Sequence, residues 1–220
     1  YKVAIVLDDC GYSKKDVLRF LKLKIPLTFS ILPYERYSEF LSNYLRENGY
    51  SVLLHQGMEP KKKIYNPGKG SIFTYMSDEE IKEIVNENID RINPDGVNNH
   101  MGSKFTEDED KMRVFLRVLR RRGLFFFDSR TTPNTKGYKI AKRIGVRSVL
   151  NQFFIDNKDD LDYIISQLRK VKEKAKRKGY SICIGHVGKD NTFFAIKKLK
   201  DEFLREGVEF VFLKDILKEE

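Results

Sequence analysis

Short apolar runs recur along this chain, each closing on a polar residue and followed by an amphipathic stretch of helical period. The runs are Lys2–Leu7, Pro26–Leu32, Ser51–His55, Gly96–Asn99, Gly123–Asp128, Val146–Leu150, Tyr180–Gly185 and Val208–Leu213. Runs of this length between turn residues read as strands buried on both faces, with helices between them. Ser77 with Glu80, and Thr106 with Glu109, have capping-box spacing, and Ser13 and Asn134 are placed as N-caps. Asn48-Gly49, Arg122-Gly123, Lys178-Gly179 and Glu206-Gly207 mark helix stops ahead of the next strand. Alternation of this kind predicts an α/β fold, a distorted or incomplete (β/α) barrel, with an open doubly wound sheet as the alternative. No linker divides the chain, so residues 1–220 read as one domain. The longest irregular stretch, Gln56–Met76, holds Lys61–Lys63, Pro60, Pro67, Gly68 and Gly70. It reads as a lid or binding loop, or as a segment whose Tyr65, Phe73 and Tyr75 anchor it to the core.

The residues that close these runs are chemically selective. All three histidines, His55, His100 and His186, stand at strand ends, as do the paired carboxylates Asp8 and Asp9 and the single Asp128. In α/β folds such positions share one crevice. Imidazole with carboxylate suits zinc or a similar divalent ion. Adjacent carboxylates stay ionised together only near a cation or a strong local field. Successive side chains on a strand diverge, so one of Asp8 and Asp9 is expected to bind metal and the other to face substrate as a base. Capping of the following helix by Asp9 or Ser13 is the simpler alternative.

Glu59, four residues beyond His55, is a further candidate ligand or neighbour of the site. Asn98-Asn99-His100-Met101-Gly102-Ser103 puts amides, an imidazole and a hydroxyl after a short strand, for hydrogen bonds around a metal or substrate, or for a turn. Asn99 and Ser103 are taken as substrate-binding or supporting residues. Asp128-Ser129-Arg130-Thr131-Thr132 joins a carboxylate, hydroxyls and a guanidinium, and an Asp128–Arg130 pair can orient a catalytic group or simply bridge a loop. His186, between Gly185 and Gly188, reads as a general acid or imidazolium stabiliser.

Composition narrows the choices. Charged residues make up 34% and the net charge is +10, which fits an acidic partner or basic helix faces in water. No base-stacking motif accompanies the basic runs, which disfavours nucleic acid. Cys10 and Cys183 form no disulfide framework and are expected to be free thiols, Cys10 near the site. No apolar run is long enough to span a membrane, and no signal or anchor segment is visible ahead of Tyr1. There is no GxSxG elbow, Walker loop or GxGxxG fingerprint.

Taken in order, LDDCGYS, LLHQGMEP, GVNNHMGSKFT, FFFDSRTT and IGHVGK resemble the blocks of the divergent polysaccharide deacetylases, relatives of the NodB-type carbohydrate esterases. The likeness runs from Val3 to Phe212. It implies a distorted (β/α) barrel with one divalent metal, usually zinc, and hydrolysis of N-acetyl groups on an extracytoplasmic carbohydrate polymer or amino-sugar oligomer. Block by block, it implies Asp8 as base, Asp9 and His55 as metal ligands and His186 as acid. Glu59 stands where a second histidine of the block is usual, and His100 is expected to supply that ligand. After Gly185-His186 the resemblance leads to a proline, and this chain has Val187-Gly188-Lys189 instead. A glycan-binding module that retains the pocket without turnover is the alternative reading.

Overall fold

The computed structural model describes residues 1–217. The 1–220 domain reading therefore extends over three residues outside the described ones. Among the described residues nine strands, all parallel, form one sheet: β1 (Lys2–Cys10), β2 (Thr28–Ile31), β3 (Ser51–Met58), β4 (Gly96–Met101), β5 (Phe125–Asp128), β6 (Ser148–Leu150), β7 (Phe153–Phe154), β8 (Tyr180–His186) and β9 (Glu209–Phe210). The order is β6-β5-β4-β3-β2-β1-β8-β7, with β9 also on β1. The helices are α1 (Lys14–Leu21), α2 (Ser38–Glu47), α3 (Asp78–Ile92), α4 (Glu109–Arg122), α5 (Gly137–Arg143), α6 (Leu161–Lys178), α7 (Asp190–Arg205) and α8 (Leu213–Ile216).

The outermost strands in this order, β6 and β7, are consecutive in sequence, joined by only Asn151 and Gln152. A link that short brings the two edges together without a ladder between them. Asn151 N bonds Asp128 O on one bank, and Gln152 Oε1 accepts from Ser181 Oγ and Ile182 N on the other. The architecture is thus a curled, incomplete (β/α) barrel, and the open doubly wound alternative is set aside.

Alternation along the strands sorts two apolar layers. Val3, Ile5 and Leu7 of β1 join the outer cluster under the helices, with Val17 and Phe20 of α1. Ala4 and Val6 join an inner cluster with Leu53, Phe127, Ile182 and Ile184, closed at one end by Leu213 and Ile216 of α8. Both faces being buried explains why the strands read as continuous apolar runs.

Ser13 caps α1, Ser77 and Glu80 form the expected capping box, and all four glycine stops take positive φ. Two cap assignments are corrected. Asp108 caps α4, while Thr106 Oγ1 donates to Gly102 O within a short 3₁₀ turn. Asn134 caps nothing, since α5 begins at Gly137 after Lys136.

The long segment after β3 is tied down. Glu59 N bonds Ile72 O and Ile72 N bonds Gly57 O, while Gln56 and Asn88 side chains hold Gly70 O. Of its aromatics, Phe73 stacks on Tyr75, yet Tyr65 and Tyr75 stay exposed, so backbone pairing and buried Ile72 provide the anchor.

Candidate metal centre and active-site groove

At one level of the barrel, inward-facing positions change from apolar to polar. Val6 is followed by Asp8, Leu53 by His55 and Ile184 by His186, each one inward step along its strand, and Phe127 by Ser129 just past the end of β5. Register places Asp8 opposite His186 and His55 opposite Asn98.

Asp9 breaks this alternation. The β1–β2 register shifts between Leu7 and Cys10, and Asp9 sits at φ 61, in the left-handed region. The expectation that neighbouring side chains diverge is corrected: both carboxylates approach one imidazole, with Asp9 Oδ1 3.3 Å and Asp8 Oδ2 3.7 Å from His55 Nε2. His100 Nδ1 lies 3.2 Å from Asp9 Oδ1 and 3.1 Å from His55 Nε2. These three donors form a nearly equilateral triangle. Ligands about 2.0–2.1 Å from a tetrahedral zinc are about 3.3 Å apart, so the set fits such an ion. Asp9 Oδ1 is also buried with no hydrogen-bond donor, a cost that a cation removes.

Asn98, wholly buried, fixes the chemistry of this centre. Its Nδ2 donates to Asp8 Oδ1 at 3.0 Å and to Ser129 Oγ at 3.2 Å, so its Oδ1 must face His55 Nδ1, 3.0 Å away, and Ser30 Oγ. That acceptor holds the His55 proton on Nδ1 and turns the Nε2 lone pair toward Asp9 and His100. Burial raises the Asp8 carboxyl above the usual range, aided by Asp9 and opposed by His55, His186 and Asn98. Burial would also raise Asp9, but the His100 and His55 imidazoles beside it outweigh that and hold it well below the usual range.

Opposite Asp8, His186 is gripped by Asp156, which sequence reading missed. His186 Nδ1 donates to Asp156 Oδ1 at 2.8 Å, and Asp156 Oδ2 accepts from His186 N at 2.7 Å and Thr192 Oγ1 at 2.8 Å. Burial alone would lower the imidazole pKa, but the Asp156 contact and charge raise it above its ordinary value. The signal was present: Phe153-Phe154-Ile155 closes on Asp156, as other runs close on carboxylates.

A groove of about 460 Å³ opens from Asp9 to His186. Tyr12 and Ser13 of the β1–α1 segment, Asp16 in the first turn of α1, and Val187, Gly188 and Lys189 of the β8–α7 segment wall it. Tyr12 and Asp16 are groove residues the sequence reading did not single out, and Lys189 figured there only in the departure after His186.

The remaining expected residues divide. Asn99 Oδ1 accepts from Ser129 N and its Nδ2 donates to Met101 O, joining the ends of β4 and β5 beside the centre. Glu59 lies outside the ligand triangle, its oxygens taken by Thr74 and Lys104. Ser103 Oγ accepts from Lys61 N and so also holds the long segment. The expected Asp128–Arg130 pair is corrected: buried Asp128 accepts from the Arg130 main-chain N, Thr135 Oγ1 and Tyr138 N. Its role is to fold the β5–α5 turn, and the Arg130 side chain lines a different cavity. Cys10 is buried with its thiol donating to Leu7 O, and burial with the charges of Asp8 and Asp9 pushes it well above the ordinary thiol range. It is no nucleophile.

Comparison with known proteins adds to this geometry. The sequence profile described as divergent polysaccharide deacetylase matches residues 5–217. An uncharacterized protein of Haemophilus influenzae is 32% identical over 187 residues, covering 84% of this chain and 66% of its own length. The uncharacterized Escherichia coli protein YibQ is 31% identical over the same span, covering 84% of this chain and 58% of itself. The chain therefore spans less than two thirds of either relative. Among solved structures, uncharacterized protein ATU2773 of Agrobacterium tumefaciens superposes with TM-score 0.91 at 22% identity, covering 98% of this chain and 88% of that one. The catalytic domain of a Eubacterium rectale peptidoglycan N-acetylglucosamine deacetylase gives 0.59 at 13%, with 96% and 88% covered. BA3943 of Bacillus anthracis, a CE4-family pseudoenzyme, gives 0.55 at 12%, with 98% and 65% covered.

Proposed function

The chain belongs to the divergent polysaccharide deacetylase family, and on that premise we propose that it is a metal-dependent hydrolase removing N-acetyl groups from an amino-sugar polymer outside the cytoplasm. The observation that carries this reading is the meeting of three metal-ligand donors with a raised carboxyl, Asp8, on one side and an imidazole braced by a carboxylate, His186, on the other.

Asp9, His55 and His100 would hold the ion, which we take to be zinc. Bound there, it supplies Lewis-acid polarisation of the acetyl carbonyl and a lower pKa for water. Asp8, kept basic by burial, takes a proton from the attacking water as the new C–O bond forms. Asn98 holds the other Asp8 oxygen, leaving Oδ2 for that proton. His186 carries its proton on Nε2 as well as Nδ1 when charged, and donates it to the sugar nitrogen as the C–N bond breaks. Acetate and a free amine result. Asp156 keeps the imidazole oriented and favours its charged form. The Tyr12 ring, exposed along the groove, offers a face for a sugar.

The test is acetate release from acetylated amino-sugar oligomers and peptidoglycan fragments by zinc-loaded protein. Chelator-sensitive release, absent from the His55→Ala, His100→Ala double variant, is expected. Zinc bound without any release would sink the hydrolase reading and turn it toward glycan binding alone.

A further inference from the structure

The slot between β6 and β7 is more than an interruption of the sheet. A cavity of about 230 Å³ occupies it, walled among others by Arg130, Tyr138, Asn151, Gln152, Lys174 and Tyr180. Two cations face this space and, among the described residues, no carboxylate lines it. Among the described residues, Lys174 Nζ contacts only the face of Phe153, 5.5 Å from the ring centre. Arg130 is fixed through its main chain, at φ 58 with its N–H on Asp128 Oδ1, while its guanidinium has no hydrogen bond or ion pair among the described residues. Asp128 feels the Arg130 charge, but its oxygens already accept from Arg130 N, Thr135 and Tyr138. Burial holds the Lys174 ammonium below its ordinary range, and Arg130, then Arg177 and Lys178, add to this. Two like charges thus line one partly enclosed space, with no carboxylate opposite them among the described residues.

We propose that this seam cavity binds an oxyanion, the phosphate or carboxylate group of a small ligand, between Arg130 and Lys174. A guanidinium presents paired N–H donors that match either group, and an ammonium adds a compact charge. The volume admits one such group on a small carrier, below the size of a typical drug-like pocket. None of the metal-centre donors lines the cavity, so this inference stands apart from the hydrolase reading.

The test is calorimetric titration of the full chain, at low salt, with inorganic phosphate and separately with glucuronate. At least one is expected to bind with a dissociation constant below about 1 mM. Which one binds identifies the source as a phosphate ester or an acidic sugar. Arg130→Gln and Lys174→Gln should each weaken binding about tenfold or more, the loss expected for one charge-assisted contact. Arg117→Gln, at an exposed position of α4, should leave the constant unchanged, as should the His55→Ala, His100→Ala double variant. Should Arg130→Gln not fold, Lys174→Gln on its solvent-facing helix decides. Binding of neither probe below about 10 mM overturns the proposal. So does equal loss in Arg117→Gln, which would mean diffuse attraction to the +10 charge, or loss in the double variant, which would place the anion at the metal centre.

Discussion

Replacing Asp156 with asparagine removes a charge while nearly preserving shape, and isolates what that carboxylate does for His186. Asp156 is fully buried and accepts three hydrogen bonds, from His186 Nδ1, His186 N and Thr192 Oγ1. Asparagine offers one acceptor oxygen, so at least one of these donors loses its partner. The charge-assisted bond to the imidazole is worth about 1.5–3 kcal/mol. Spread over the acid step, that is about a 10- to 150-fold loss in kcat/KM. Without the carboxylate, burial is opposed only by the charges of Asp8 and Asp9, so His186 must titrate at lower pH than in the native chain. The fold responds as well. Asp156 is lowered and His186 raised on folding, so the pair stabilises the native state in full above about pH 4 and below about pH 6.5, the unfolded values. Its contribution falls away as acid protonates Asp156 or as pH rises through the folded value of His186. The assay is NMR titration of the histidine Cε1–H signals, practical because the chain has only three histidines. His186→Gln identifies the relevant peak. An unchanged His186 titration in Asp156→Asn would refute the reasoning.

Other perturbations probe separate links. Asn98→Ala deprives His55 Nδ1–H of its acceptor and should weaken zinc affinity by about 10–100-fold in chelator competition; unchanged affinity would remove Asn98 from its supporting role. Asp8→Asn should retain near-stoichiometric metal by elemental analysis yet lose about 10²–10⁴-fold in acetate release, the range of a missing general base. Loss of metal instead would make Asp8 a ligand. Gly57→Ala would place a Cβ 2.0 Å from Ser71 Oγ and 2.7 Å from Pro67 O, under the tied-down segment. A cost of about 1–3 kcal/mol, read as a lower thermal midpoint, is expected, and no shift would mean that the segment gives way freely.

Much of the barrel could be read in advance because strands buried on both faces leave continuous apolar runs that stop at a polar layer. What escaped was short or out of phase. β7 is only Phe153–Phe154, too brief to carry a period, and its loss hid Asp156 with it. Val208–Leu213 reads as one run, yet only Glu209–Phe210 pair with β1, and Leu213 already begins α8, turned into the inner layer. Asp9 defied strand alternation because a local shift of register reverses its side chain. The Asp128–Arg130 pairing looked sound as charge in sequence, but a buried carboxylate two residues from a left-handed turn finds main-chain N–H groups first. His55 and His100 come together because β3 and β4 are register neighbours, with Gly57 opposite His100, a relation that no single strand reveals.

The unladdered junction of β6 and β7 also bears on how the molecule avoids its own kind. A sheet that stops short of closure leaves free edges, and free edges recruit other strands into aggregates. Here the banks are three and two residues long, too short to template a lengthy addition. Gln152 answers Ile182 N–H with a side-chain oxygen, and Asn151 Oδ1 answers Phe153 N–H, so local amides are already spoken for. Lengthening either edge, or replacing Asn151 and Gln152 with β-branched apolar residues, would reopen that template. Solubility at high concentration would then fail before the barrel itself does.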